Sequence, residues 1–172
     1  MKRLTNVLIT LLAVISFQGK AQDTVLNAAA QKQEAAKIAV VESYLGISNS
    51  LILSDSLETA KNATAFLRSL EKFRFKKLTL EEMNAGTTTR AEIRVLAAKI
   101  AETTNINTQR KIFLELSTKM WGIAKNVQPS GLPLYQQVCP MTGATWISKD
   151  QEIKNPYYPK NMLTCGEIKE RI

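Results

Sequence analysis

With 172 residues, 45% of them hydrophobic, the chain has room for one domain and a tail, and can bury a core without covalent staples. It contains no histidine, which excludes Ser-His-Asp and Cys-His catalytic sets and histidine-ligated zinc or iron sites. Its formal net charge of +8 is scattered among glutamates rather than gathered into an aromatic-studded basic stripe, so a nucleic-acid surface is not expected.

In chain order, Lys2 and Arg3 precede an apolar run, residues 7–17, that is short for a bilayer span, and Gly19 and Ala21 are small residues flanking Lys20. This layout predicts a secretory signal peptide over 1–21, with no cysteine at the cut to carry a lipid. Cleavage lowers the net charge by three, to +5, because Lys2, Arg3 and Lys20 leave with it. The expected location is periplasmic or secreted, with no transmembrane span after cleavage.

Residues 22–53 read as a first helix. Val40, Tyr44, Ile47 and Leu51 recur at spacings of four, three and four, and Gly46 weakens its middle. Asp55 and Glu58 have capping-box spacing and open a second helix whose core face is Ala63, Phe66, Leu70 and Phe73, ending near Phe75. Residues 76–88 read as a connector, with Lys76 and Lys77 exposed and Glu81, Glu82 and Met83 in a short turn. Thr89 and Glu92 repeat the capping spacing before a third helix with Ile93, Leu96, Ala97 and Ile100 inside. Asn105 or Asn107 caps a fourth, with Ile112, Leu116, Met120 and Ile123 as its stripe and Trp121 on the flank, stopping before Pro129.

The fold class predicted is mainly α: an up-down antiparallel four-helix bundle over residues 22–128 with a loop-rich C-terminal tail, 129–172, packed on it. Within the tail, residues 134–141 and 145–148 are extended with a turn at Gly143, and Asn155-Pro156 and Tyr158-Pro159 forbid a long helix. Tyr135 and Trp121 read as core.

The tail holds the only two cysteines, Cys139 and Cys165, each with a methionine nearby: Met141 and Met162. Thiolates and thioethers are soft donors that favour Cu(I) or Ag(I). Pro140 stiffens the first pair, a helical turn would face Met162 and Cys165 the same way, and roughly twenty-five intervening residues suffice for the chain to return. The alternatives are a Cys139–Cys165 disulfide, ordinary in an exported chain, and thiol redox chemistry without a Cys-x-x-Cys motif. The methionines then fill core gaps. Trp146, Tyr157 and Tyr158 either shield a metal or, the commoner arrangement, seal the tail to the helices. Asp55, Glu81 and Glu82 read as helix-end or solvated charges, and no acid–base pair points to an enzyme.

The run Tyr135, Cys139-Pro140-Met141, Gly143-Ala144-Thr145-Trp146-Ile147-Ser148, Ile153-Lys154-Asn155-Pro156-Tyr157-Tyr158 and Met162-Leu163-Thr164-Cys165-Gly166-Glu167 resembles the signature of the domain-of-unknown-function 3347 family. Tyr44-Leu45 and Ser54-Asp55 extend the resemblance into the helices. It implies an exported bacterial helical domain, one that also occurs fused to periplasmic adaptors of copper/silver efflux pumps. It carries the ligand role over to Cys139, Met141, Met162 and Cys165, and makes such an adaptor the expected partner. The chain departs from the family pattern in two places. Gln136 and Gln137 stand where some relatives have histidine, and Pro159 replaces a glycine.

Two functions follow as expectations. One is an extracytoplasmic Cu(I)/Ag(I)-binding protein linked to metal efflux or homeostasis. The other is a non-metal interaction module, its tail pinned by a Cys139–Cys165 disulfide, presenting Trp146, Tyr157 and Tyr158 to a protein partner.

Overall fold

The computed structural model describes residues 2–76 and 78–172, with side chains from residue 27 onward. The predicted signal peptide, 1–21, lies outside the residues with described side chains, and Lys77 outside the described residues. Two compact units are resolved, one up to Ala35 and one from Ala36 to Ile172. Among the described residues no helix is long and apolar enough to cross a membrane.

Five helices, four of them long, and one small sheet are present among the described residues. The helices are α1 (Lys2–Ile52), α2 (Ser56–Lys72), α3 (Leu80–Ala101), α4 (Ile106–Gly122) and the single turn α5 (Ala124–Val127). The predicted stripe of α1, Val40, Tyr44, Ile47 and Leu51, is buried. Tyr44 stacks on Phe113 of α4 at 5.3 Å between ring centroids and meets Phe66 of α2 edge-on at 6.2 Å. Each such aromatic pair adds about 0.5–1.5 kcal/mol beyond its area burial. The α4 stripe is rotated from the predicted one: Phe113 is in the core and Ile112 only half-buried.

The helix starts are where local chemistry decides. Asp55 caps α2 by accepting from the Glu58 N–H at 2.9 Å. The reciprocal half of the expected box is absent, because the Asp55 N–H donates to the Ser50 carbonyl and the Glu58 carboxylate pairs with Lys61 at 3.1 Å. The predicted connector 76–88 is corrected: α3 begins at Leu80. Its capping box is Thr79 with Glu82, the Thr79 N–H donating at 2.8 Å and the Glu82 N–H at 3.2 Å. Glu92 instead pairs with Lys119 of α4 at 2.7 Å. Gly86, which suggested a break, sits under the Phe75 ring, where an added Cβ would stand 3.1 Å from a ring carbon. Arg90 closes this corner, donating to the Phe73 carbonyl at 2.7 Å with its guanidinium 5.9 Å from the Phe75 ring centre.

The tail folds into an antiparallel sheet of order β2-β1-β3. Its strands are β1 (Tyr135–Val138), β2 (Thr145–Ser148) and β3 (Glu167–Arg171). The first two match the predicted extended segments; β3 was not anticipated. Its Glu-Ile-Lys-Glu-Arg run is fully exposed and has a helix-forming composition, but such charges are what protect an edge strand from unwanted pairing. The β2 edge is covered instead: the Ile147 N–H donates to the Tyr44 hydroxyl at 3.1 Å. Trp121 is only half-buried, contrary to expectation, because its indole N–H reaches out to Glu170 of β3 at 3.3 Å. Tyr135 is buried as predicted.

Candidate functional site

Strand pairing brings the two cysteines together. The last residue of β1, Val138, pairs with the first of β3, Glu167, so the residues just beyond each strand end are neighbours. Cys139 leads into the β1–β2 turn: its N–H donates to Ala144, and its carbonyl accepts from Thr142 at 3.2 Å and Gly143 at 2.8 Å. Gly143 closes the turn at φ +69, a left-handed conformation that glycine adopts without a Cβ clash. Cys165 closes a second turn, its N–H donating to the Met162 carbonyl at 3.0 Å. The two Sγ atoms are 3.1 Å apart and both cysteines are free.

The two thiols are unequal. Cys139 is fully buried, and burial pushes its thiol up. Hydrogen bonds from the Thr142 hydroxyl, the Cys165 thiol and the Met141 and Thr142 amides outweigh this, and the net direction is down. The Cys165 thiol is raised, first by the bond it gives Cys139, then by burial and the Cys139 charge. The two shifts are opposed: the surroundings favour the charged form at Cys139 and the neutral form at Cys165.

Of the four sulfur residues, Cys139 and Cys165 are joined directly. Met141 reaches both thiols through its backbone N–H, while its side chain is 76% exposed. Met162 is half-buried and contributes its carbonyl to the Cys165 turn. Among the described residues no three cysteine or carboxylate side chains converge as a metal site. The two cysteine sulfurs are the donors here that could hold a soft ion. Two thiolates on one tetrahedral ion at about 2.3 Å stand roughly 3.8 Å apart, whereas a disulfide needs about 2.05 Å. The observed 3.1 Å lies between, so either product needs a movement of about 1 Å or less.

The aromatic residues seal the tail. Trp146 is 2% and Tyr157 7% exposed; only Tyr158, at 42%, faces solvent. The Tyr157 ring lies 6.1 Å from Trp146 and 6.0 Å from Phe113, and its hydroxyl donates to the Thr145 carbonyl at 2.6 Å. The expected three-aromatic partner surface is therefore corrected to one exposed tyrosine, since the other two rings are spent on the core.

Three residues that shape the site were not singled out from sequence as parts of it. Asn155, fully buried, donates from Nδ2 to the Cys165 carbonyl at 3.1 Å and accepts at Oδ1 from the N–H groups of Tyr157 and Tyr158. Arg110 donates to the carbonyls of Pro156 and Leu51 and to the Ser54 hydroxyl, tying the tail to the end of α1. At Gly166 an added Cβ would stand 2.7 Å from Ile153 and 2.9 Å from Trp146. Only Asn155 had a sequence signal, an Asn-Pro turn start. Gln137 donates from its amide to the Asp150 and Glu152 carbonyls.

The family model described as "Protein of unknown function (DUF3347)" matches residues 40–131. That stretch runs from the buried half of α1 through α5 and stops before β1, so the thiol pair lies beyond the matched residues. No curated protein and no solved structure matches the chain.

Proposed function

The chain belongs to the DUF3347 family, and we propose that it is an extracytoplasmic carrier of soft monovalent metal, Cu(I) or Ag(I). The ion is cargo, held by Cys139 and Cys165 with Met141 and Met162 as thioether donors. The observation that carries this reading is the approach of two cysteines, 26 positions apart, to 3.1 Å between sulfurs. A buried thiol already drawn toward its thiolate supports it, because the thiolate is the ligating form. An exposed methionine beside it is where an incoming or outgoing ion first meets a soft donor. In this reading α1–α4 form an up-down antiparallel four-helix bundle that serves as a rigid support. Residues 1–21 direct export, and the partner is a periplasmic adaptor of a metal efflux pump, as the family resemblance implies. The protein binds and hands over; it does not catalyse.

The test is competition with a Cu(I) chelator on fully reduced protein, native and substituted. Cys139→Ser is expected to abolish tight binding, and Met141→Leu to weaken it about tenfold, the scale of one lost donor or supporting contact. Native protein that never competes with the chelator contradicts the reading. The short S–S separation also favours a second reading, in which the pair closes into a disulfide that pins β3 to the β1–β2 turn. Tyr158 is then the aromatic residue left for a protein partner.

A further inference from the structure

We propose that Asn155 is the positioning residue of the thiol pair: it sets where Cys165 stands relative to Cys139. This rests on the pair being the functional site, and not on which metal it takes.

Cys165 sits at the end of a loop, residues 155–165, that lies between β2 and β3 in the chain and is buried at its start. Such a loop has many conformations open to it, and only a few of them bring Cys165 to Cys139. Asn155 closes it from both ends. Its backbone N–H donates to the Leu163 carbonyl at 2.8 Å, and its side-chain Nδ2 to the Cys165 carbonyl at 3.1 Å. The same side chain turns the chain at the start of the loop, with Oδ1 accepting from Tyr157 at 2.9 Å and Tyr158 at 3.3 Å. Asn155 is fully buried, so a group that lost one of these partners would have no solvent to replace it.

Around this residue each neighbour has a separate anchor. The Pro156 carbonyl takes the Arg110 Nε–H at 3.0 Å, the Tyr157 ring is in the core, and the Tyr158 carbonyl accepts from the Met162 N–H at 2.8 Å. The bonds of Arg110 and Tyr157 fix the loop to the body, and that of Tyr158 closes a turn within it. Among the side-chain bonds of the described residues, that of Asn155 Nδ2 is the one that reaches the backbone of Cys165 itself. No other side-chain type matches this pattern at this length: aspartate keeps the acceptor and loses the donor, and serine keeps a short acceptor without reach.

The experiment measures the equilibrium of the full chain with glutathione. In this exchange protein dithiol and one oxidised glutathione give protein disulfide and two reduced glutathiones. The equilibrium reads how often Cys165 is presented to Cys139, independently of metal. Asn155→Ser and Asn155→Asp are each expected to shift it about tenfold toward the dithiol, the worth of one buried hydrogen bond. Tyr157→Phe, which loses the bond to Thr145 and leaves the Cys165 carbonyl bonded, is expected to lower Tm without moving the equilibrium. Cu(I) competition on the same proteins is expected to follow the glutathione order.

Native values in both Asn155 variants overturn the proposal. So does an equal shift in Tyr157→Phe, which would mean that general loosening, not positioning, is being read. A shift in Asn155→Asp alone also overturns it, since charge rather than geometry is then responsible. If the native protein fails to bind Cu(I) while the Asn155 variants still shift the glutathione equilibrium, the metal reading falls and the positioning role stands.

Discussion

The helical part and the tail are held together by different physics. In the helices most contacts are apolar and redundant: Tyr44, Phe66, Leu70, Phe113 and Leu116 are buried in one cluster, which Trp146, Ile147 and Tyr157 of the tail also join. In the tail, single polar atoms carry the geometry. Asn155 Nδ2 holds Cys165, Arg110 holds Pro156, Gln137 holds Asp150 and Glu152, and the Tyr157 hydroxyl holds Thr145. Burial is roughly proportional to area and tolerates a shift of a few tenths of an ångström. A buried hydrogen bond depends instead on one partner and weakens steeply as its angle closes. The shared core therefore sets how stable the protein is, and the polar bonds of the tail set where its two sulfurs stand.

The largest expected effect is on the helical side. Phe113→Ala removes a ring shared with Tyr44 and Tyr157 and is expected to cost about 3–5 kcal/mol in denaturant unfolding. It reaches into the tail through Tyr157, so tail amides are expected to lose protection from exchange too; a cost confined to the helices would contradict the shared core. Next is Gly166→Ala. The new methyl meets Ile153 and Trp146 below 3 Å and is expected to cost about 1–3 kcal/mol. Because Gly166 adjoins Cys165, it is also expected to slow disulfide closure, which Phe113→Ala at matched stability does not do.

Thr79→Ala removes the α3 cap, far along the chain from the thiols, and is expected to cost about 1 kcal/mol with no change in thiol reactivity. The smallest effect is the pH response of the pair. Cys139 is lowered, so its contribution to stability is present above the ordinary thiol value and lost as pH falls through its folded value. Cys165 is raised, so its contribution is present below the ordinary value and lost as pH rises through its folded value. Together they make the pair most stabilising near the ordinary thiol value of about 8.5. The Tm difference between native protein and the Cys139→Ser/Cys165→Ser double variant is expected to peak there; a monotonic difference would contradict the opposed shifts.

The same division governed what was legible in the sequence. The core stripes of α1, α2 and α3 could be read from periodicity, because burial of a helix face is written at a spacing of three and four. The α3 start was missed: Gly86 and the threonine run lower helix propensity, and the Thr79–Glu82 box with Phe75 packed on the bare Gly86 Cα outweighs them. In the tail, the β1–β2 turn was legible through Gly143, and the four sulfur residues stood out by composition. That β3 exists, and that it delivers Cys165 to Cys139, depends on a strand pairing with no local pattern. The role of Asn155 depends on where a single amide points after folding, which no spacing records.

The most direct measurement is the intact mass of the protein, purified without oxygen, before and after one equivalent of Cu(I) under native conditions. The account predicts a dithiol mass that gains one copper ion, and loses that capacity when Cys139 is replaced by serine. A mass already two hydrogens light, resistant to mild reduction and taking up no copper once reduced, would contradict it and make the two sulfurs a structural cross-link.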